Sequence, residues 1–282
     1  MTPMLYVAPM KRALPFLIFG SILAASSAQA ATFDCVINPS VRLRIGSPVS
    51  TTLRSIEVER GERVTTGQVI ARLEAAVERA DVALNTERAG NTADMLSRAA
   101  RVDFARLEAE RGEKLLADNN ASRQKVEELR TLLRVAQGDM QIAVLNHHLA
   151  ELELARSRAQ EELRVIRSPI DGVVVQRLLG PGEFVHQDAQ IAEVASIDPL
   201  YVEAYPPVRY FAGIKVGAVA EVKPDLPGEA PRQATVVIVD PVFDAGSGTF
   251  GVRLRLPNPG GVLPAGLRCQ VSIDMAELPA AR

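Results

Sequence analysis

A sequence repeat begins with IGSPV at residues 45–49 and returns 121 residues later as IRSPI at residues 166–170. The same offset relates GERV at 61–64 to GEFV at 182–185, and the dipeptide IA at 70–71 to IA at 191–192. Eight of 29 gap-free positions are identical, whereas ordinary composition gives about two. The two stretches therefore predict two copies of one small structural unit.

Both copies have the character of β-structure. Apolar residues such as Leu53 and Val58 recur in the first copy, and the second contains the β-branched run 173–175. Ser-Pro, Arg-Gly and Asp-Gly dipeptides separate these runs as turn signals. Two halves, 44–73 and 164–195, can pack face to face as a sandwich, since one half alone would be too small to be stable.

Residues 74–163, between the copies, have a different character. They contain none of the 18 prolines, only three glycines and one aromatic residue, Phe104, and one third of them are charged. Alanine, leucine, glutamate and arginine dominate, and these residues favour helices. Two apolar heptad series predict a coiled-coil seam interrupted at His147: Val126, Leu133, Met140 and Leu154, with Leu129, Ala136, Ala143 and Ala150 offset by three.

The helical segment divides at the turn 118–122, which ends in Ser122, a candidate N-cap residue. Arms of nearly equal length on either side predict an antiparallel hairpin roughly 60 Å long at 1.5 Å per residue. Met95, Val102, Ala109 and Leu116 share one register in the first arm, where Gly90-Asn91 is a weak point.

The N-terminus has the order of an export signal. Lys11 and Arg12 precede the apolar run 13–25, and the segment closes with an A-x-A pattern at residues 28–30. A positive, then apolar, then small-residue order is typical of a cleaved secretory signal. We therefore expect residues 1–30 to be a signal peptide and the mature protein to be periplasmic, with an uncleaved anchor as the alternative.

If the protein is exported, its two cysteines, Cys35 and Cys269, can form a disulfide with each other, because oxidising compartments permit disulfides. Each lies in a strand-like context. The sequence itself leaves two alternatives, a bridge between the first and the last strand or two buried thiols.

Composition argues against several classes of function. A net charge of −2, a pI near 6.0 and 4% aromatic residues do not fit a nucleic-acid binder. Three histidines and two cysteines leave few metal ligands, and adjacent His147 and His148 point to different faces of a helix. No G-x-S-x-G or phosphate loop is present. We expect no enzyme activity and no catalytic, cofactor or metal site.

The repeat resembles a known family. IRSPIDGV at residues 166–173 and RGERVTTGQVIA at residues 60–71 are similar to the two half-motifs of the split biotinyl/lipoyl domain in periplasmic adaptor subunits. These subunits, also called membrane fusion proteins of the HlyD and RND-associated type, serve bacterial tripartite efflux systems. The family inserts an α-helical hairpin between its two half-motifs.

The resemblance implies an α+β, multi-module fold: a split lipoyl-like sandwich with an inserted antiparallel helical hairpin, followed by a small antiparallel β-barrel. Its parts are the signal peptide 1–30, an N-terminal strand 31–43 that joins the barrel, the sandwich halves 44–73 and 164–195, the hairpin 74–163, the barrel 196–278 and a tail 279–282. Short strands with glycine and proline turns also favour an all-β module at 196–278. Cys35 and Cys269 then belong to one module, which favours their disulfide.

The resemblance also implies a docking site at the hairpin tip. Relatives carry there an arginine, a leucine four residues on and a serine seven beyond, and this chain has Arg111, Leu115 and Ser122 at that spacing. These residues would dock an outer-membrane channel through apolar contact and hydrogen bonds. A solvated arginine, a seam leucine and a simple helix cap are the structural alternative.

The implied function is that of a non-catalytic periplasmic adaptor. It would bridge an inner-membrane transporter, with the RND type favoured, to an outer-membrane channel of the TolC type, and would form a ring of three or six copies. An ABC-type export system is one alternative partner, and a lipoyl or biotin carrier-like protein is another function class. Many adaptors have a fourth, membrane-proximal domain, and this sequence shows no counterpart of it before Arg282. The sequence therefore does not indicate how the adaptor contacts its transporter. The charged hairpin surface shows no apolar contact stripe, so the ring size and the exported substrate are open as well.

Overall fold

A computed structural model describes residues 1–2 and 30–274 of the chain. Residues 3–29, which carry most of the expected signal peptide, and residues 275–282 lie outside the described residues. Among the residues that are described, no helix is long and apolar enough to cross a membrane. The elements form a β-sandwich, a helical hairpin that projects from it and a β-barrel.

Eight strands take part in the sandwich. They are β1 (Ala30–Gly46), β2 (Thr51–Ile56), β3 (Arg63–Val64), β4 (Val69–Leu73), β5 (Val165–Arg167), β6 (Gly172–Arg177), β7 (Phe184–Val185) and β8 (Gln190–Ala204). One sheet has the order β1-β8-β6-β3 and the other β5-β4-β2-β7. The predicted sandwich is confirmed. The expectation that each copy forms its own sheet is wrong, because β3 pairs with β6 and β2 with β7, so that each sheet draws strands from both copies.

The residues shared by the two copies perform the same structural tasks. The buried hydroxyls of Ser47 and Ser168 each donate to the carbonyl oxygen two residues further on, which closes a turn. The carboxylates of Glu62 and Glu183 each accept a hydrogen bond from the backbone N–H three residues earlier, at 2.8 and 2.9 Å. The repeat is therefore a repeat of turn chemistry as well as of core residues.

The helical segment forms a hairpin of three helices, α1 (Ala76–Gly90), α2 (Ala93–Ala117) and α3 (Arg123–Glu162). The first arm is broken at the two residues between α1 and α2, where the sequence has its weak point. The second arm is one continuous helix of 40 residues, about 60 Å long. The residues of the predicted seam are buried or half-buried, including His147, and both α1 and α2 pack against α3.

The C-terminal strands are β9 (Val219–Pro224), β10 (Arg232–Asp244), β11 (Thr249–Leu256) and β12 (Leu267–Asp274). Together with parts of β1 and β8 they close an antiparallel barrel in the order β1-β12-β9-β10-β11-β8, with β8 pairing again with β1. Phe250, Leu254 and Val271 are among its fully buried core residues. The predicted barrel is confirmed.

The barrel and the sandwich share two strands instead of a linker. β1 and β8 are long enough, at 17 and 15 residues, to pair with each other in both modules. A side chain adds to this connection, since Arg63 Nη2 on β3 donates to the carbonyl oxygen of Gly261 in the barrel at 3.0 Å. The two modules are therefore joined through continuous β-structure.

Cys35 on β1 and Cys269 on β12 lie directly opposite each other in the antiparallel register. Both side chains are buried in the barrel core, and their sulfur atoms are joined by a disulfide with a Cα–Cα distance of 4.9 Å. The bridge thus connects the first strand of the barrel to its last, across a sequence separation of 234 residues.

Candidate functional site: the tip of the helical hairpin

The tip is a tight, well-capped turn. Asn119 adopts a left-handed backbone conformation, φ 61°, just after the end of α2. Its N–H donates to the carbonyl oxygen of Leu116 at 3.0 Å, and the N–H of Asn120 donates to that of Leu115 at 2.7 Å. This pair of bonds is the Schellman pattern, which satisfies the last carbonyl groups of a helix. The end of α2 is therefore fixed without help from a partner.

Ser122 begins α3 as its N-cap residue. Its Oγ accepts a hydrogen bond from the N–H of Lys125 at 3.2 Å, so the cap predicted from the sequence is present. The bond uses one acceptor site of the hydroxyl and leaves its proton free to be donated to another molecule. Ser122 is exposed, so that donation can reach outward.

Arg111 and Leu115 lie one helical turn apart on the same outer face of α2. Both are exposed, and the guanidinium of Arg111 pairs with Glu108 of its own helix. One such pair leaves most of the five N–H donors of an arginine free. The neighbouring Leu116, not Leu115, is half-buried in the seam, so Leu115 is free to contact another molecule.

Contacts between α2 and α3 hold the tip together. Gly112 is buried against α3, and a Cβ on it would stand 2.7 Å from Cδ1 of Leu129. On the outside of the seam, Arg130 Nε donates to Glu113 at 2.9 Å. The sequence offered one unused signal of this close approach, since glycine is unfavourable inside a helix unless close packing requires it.

Further from the tip, Arg98 joins the two arms. Its guanidinium donates to Asp94 in the same helix at 3.2 Å and to Asp139 of α3 at 3.1 Å. The hydrogen bond that Arg98 donates to Asp94 and the charges of both carboxylates raise the pKa of Arg98. With the Arg130–Glu113 pair, this contact fixes which parts of α2 and α3 lie at the same height along the hairpin.

The outer faces of the hairpin carry large apolar side chains that are exposed to solvent. On α2 the exposed apolar residues include Leu96, Phe104 and Leu107, and on α3 they include Val135, Ile142, Leu145, Leu149 and Leu152. The expectation that the charged hairpin surface shows no apolar contact stripe is therefore wrong. The sequence did indicate these outer residues, because residues 135, 142 and 149 form a second apolar heptad series in addition to the series of the seam.

Within residues 30–274, no group of three or more His, Cys, Asp or Glu side chains is placed to hold a metal ion. His147 is half-buried in the seam with Nε2 3.6 Å from Glu151, and His148 lies on the outer side of α3 near the same carboxylate. The hairpin tip and the outer faces of its arms are the candidate site for a partner.

More than half of the chain matches a known protein family. Residues 42–196 match the family described as the CzcB-like, barrel-sandwich hybrid domain. Both half-motifs that carry the sequence resemblance, at residues 60–71 and 166–173, lie inside this stretch.

Two relatives align with most of the chain. It is 25% identical over 302 aligned residues to the multidrug resistance protein MdtE of Escherichia coli strain K12, which covers 94% of this chain and 75% of MdtE. It is 28% identical over 255 residues to the nickel-cobalt-cadmium resistance protein NccB of Alcaligenes xylosoxydans xylosoxydans, which covers 84% of this chain and 58% of NccB.

Among solved structures, MacA from Actinobacillus actinomycetemcomitans has a similar fold, with a TM-score of 0.73 at 20% identity. The superposition covers 88% of this chain and 79% of MacA. The arrangement of sandwich, hairpin and barrel is therefore shared with that structure.

Proposed function

The chain belongs to the family of CzcB-like barrel-sandwich hybrid domains, and from this membership we propose that it is a periplasmic adaptor of a tripartite efflux system. It bridges an inner-membrane transporter to an outer-membrane exit channel and performs no catalysis of its own. The expected signal peptide and the disulfide-bonded barrel suit such a location, because the periplasm allows disulfides to persist.

The observation that carries this proposal is the hairpin. α3 is 40 residues long, yet only Val126, Ala143 and Ser157 of it are buried. A helix this long that buries so little is not there to build a core, and a length of about 60 Å suits a spacer that reaches across a compartment. The closed barrel and sandwich at its base then form the part that faces the transporter.

The hairpin tip is the proposed docking site for the outer-membrane channel. Leu115 supplies apolar contact, while the guanidinium of Arg111 and the hydroxyl proton of Ser122 supply hydrogen-bond donors. Carbonyl groups at the ends of a partner's helices are suitable acceptors for these donors. The capped turn supports this role, because a rigid tip loses little conformational freedom on binding.

We favour a transporter of the RND type and a channel of the TolC type, with an ABC-type export system as the alternative. Copies of the adaptor assemble side by side in a ring of three or six, so that their hairpins enclose a duct. One aligned relative is named for multidrug resistance and another for nickel, cobalt and cadmium resistance. The proposal therefore concerns the bridging role and leaves the exported substrate open.

Deleting the gene in its host tests this proposal. The deletion strain is expected to lose tolerance to the exported compound or ion at least several-fold and to accumulate it inside the cell. The full-length chain supplied in trans should restore both. Unchanged tolerance across a broad panel of organic compounds and metal salts would contradict the efflux role.

A further inference from the structure

The sandwich has one long open edge. Between Val41 and Ile45, β1 is the outermost strand of its sheet and pairs with β8 on one side only. The other edge strands of the sandwich, β3, β5 and β7, have only two, three and two residues. Native sheets usually keep their edges short or covered, because an open edge offers unpaired backbone groups to another strand. We call residues 41–45, a stretch of about 17 Å, the β1 edge.

The backbone of the β1 edge has free hydrogen-bonding groups. In an antiparallel pair, only every second residue directs its N–H and C=O groups at the neighbouring strand, and the residues between direct theirs outward. The register with β8 is regular from residue 41 to residue 45, so at least two residues direct both groups away from β8. Within the part of the chain that the structure describes, no other strand pairs with them on the outer side.

An apolar groove of about 440 Å³ lies beside the β1 edge. It separates the end of β1 from β5, the corresponding edge strand of the other sheet. Its apolar lining comprises Leu43, Ile45, Pro48, Leu163, Ile166 and Pro169. Leu163 at the end of the hairpin is 46% exposed, so this lining is only partly covered. A strand added to the β1 edge would direct every second side chain towards this groove.

The other face of the β1 edge is positively charged. Arg42 and Arg44 alternate with the apolar residues, and both approach Glu193 of β8, with Arg42 Nε at 3.5 Å and Arg44 Nε at 3.6 Å from its two carboxylate oxygens. Glu193 is buried and both arginines are exposed. Two cations share one anion, so one positive charge and most of the N–H donors remain for a carboxylate from another molecule.

We propose that the β1 edge binds an extended segment of another protein as an additional strand. In that segment, apolar residues over the groove alternate with acidic residues beside Arg42 and Arg44. The free backbone groups call for an extended chain, the groove for apolar side chains at every second position, and the excess positive charge for acidic side chains between them. This site lies at the base of the hairpin, and it does not depend on the proposed adaptor function.

The charges of the β1 edge also indicate that its partner is not a second copy of the same edge. Two β1 edges paired with each other would bring two copies of Arg42 and Arg44, four cations, together on one face of the joined sheets. Like charges on neighbouring strands are unfavourable. The two arginines thus disfavour pairing of identical edges and favour an acidic strand.

Hydrogen exchange of the purified full-length chain tests the site with a defined probe, a seven-residue peptide of alternating glutamate and valine that is blocked at both ends. At saturating peptide, exchange across residues 41–46 is expected to slow at least tenfold, because the outward N–H groups become hydrogen-bonded. β11 (Thr249–Leu256) pairs with a strand on both sides and should not change. The same peptide with lysine in place of glutamate should bind at least tenfold more weakly.

N-methylation of the peptide distinguishes an added strand from other modes of binding. All valine amides of an extended peptide point to one side and all glutamate amides to the other. Methylating one of the two sets should therefore abolish binding, whereas methylating the other set should leave the affinity within about twofold. A strand is the conformation that separates the two sets in this way.

Variants of the chain test the charged face. Arg42→Gln with Arg44→Gln is expected to lower the affinity for the glutamate peptide at least tenfold. Arg72→Gln with Arg177→Gln is the matched control, because both are exposed arginines on inner strands of the sandwich that each pair with one glutamate. The control should bind like the original chain. If the first variant does not fold, the comparisons of peptides on the original chain still decide.

Three results would overturn the proposal: no protection of residues 41–46, equal binding of the lysine peptide, or the same effect from both methylated peptides. Sedimentation velocity covers a further outcome. If the peptide dissociates an oligomer of the chain, the β1 edge belongs to a second copy and the proposal is wrong. Peptide binding requires neither transporter nor channel, so its failure leaves the adaptor role standing, and loss of the adaptor role leaves the peptide result standing.

Discussion

Combining Arg111→Asp with Leu115→Ser is expected to abolish efflux in a strain that depends on this chain, while export and folding stay intact. Both side chains are exposed on one face of α2 next to the tip, so neither change removes a core contact. The first change inverts the charge of the proposed donor, and the second removes the apolar contact. If each contact has the strength of an interface hot spot, about 2 kcal/mol or more, the loss of affinity for the channel is on the order of 1000-fold.

The test compares tolerance to the exported substrate across strains with equal periplasmic levels of the protein. A matched control makes the same changes at the base of the hairpin, Arg158→Asp with Leu163→Ser, where both side chains are exposed. The control should keep efflux near that of the original strain. Full efflux by the tip variant, or equal loss in both variants, would speak against channel docking at the tip.

Replacing both cysteines, Cys35→Ser with Cys269→Ser, is expected to lower the free energy of unfolding by about 2–5 kcal/mol. The bond closes a loop that spans 234 residues of sequence, and removing it restores a large conformational freedom to the unfolded chain. It also removes the covalent tie between β1 and β12, two neighbouring strands of the barrel. Urea unfolding followed by circular dichroism measures the change.

Two comparisons separate the bond from the packing of its atoms. The original chain after reduction should unfold with nearly the same midpoint as the double variant, since both lack the bond. Cys35→Ser alone should match them too, and Cys269 should then react with a thiol reagent on unfolding. If the unreduced original chain shows two free thiols when unfolded, or if the midpoint does not move on reduction, the bridge does not form.

The repeat predicted more of the fold than any other feature of the sequence. The starts of β2, β3 and β4 recur in β6, β7 and β8 at the offset of 121 residues that self-comparison gives. What self-comparison could not provide is which strands pair. Two identical units can each form a sheet or exchange strands, and the choice depends on contacts such as that of β3 with β6, which join positions about 110 residues apart.

Of the candidate site, the sequence predicted the features that depend on local chemistry and missed those that depend on which helix faces pack together. The cap at Ser122 follows from local chemistry, because a serine before a helical run satisfies N–H groups close to it in sequence. The apolar side chains on the outer faces were missed because one heptad series was assigned to the seam. Val135, Ile142 and Leu149 form a second series on the same helix, and periodicity alone does not say which series faces the partner arm.

The shared strands were missed for another reason. The sequence was divided into a strand at 31–43 and a half-motif from residue 44, whereas β1 continues without a break through both modules to Gly46. Continuity of a strand across two cores depends on a common partner, here β8, which lies more than 140 residues away.

The most direct test of the bridging role is photo-crosslinking in intact cells from the two ends of the molecule. A photoreactive side chain replaces Leu115 at the hairpin tip in one strain and Val242, an exposed residue of the barrel, in another. We predict that the tip captures an outer-membrane channel and that the barrel captures an inner-membrane transporter, each identified by mass spectrometry. Capture of soluble periplasmic proteins alone from both positions, in cells that express the transporter and the channel, would contradict the adaptor role.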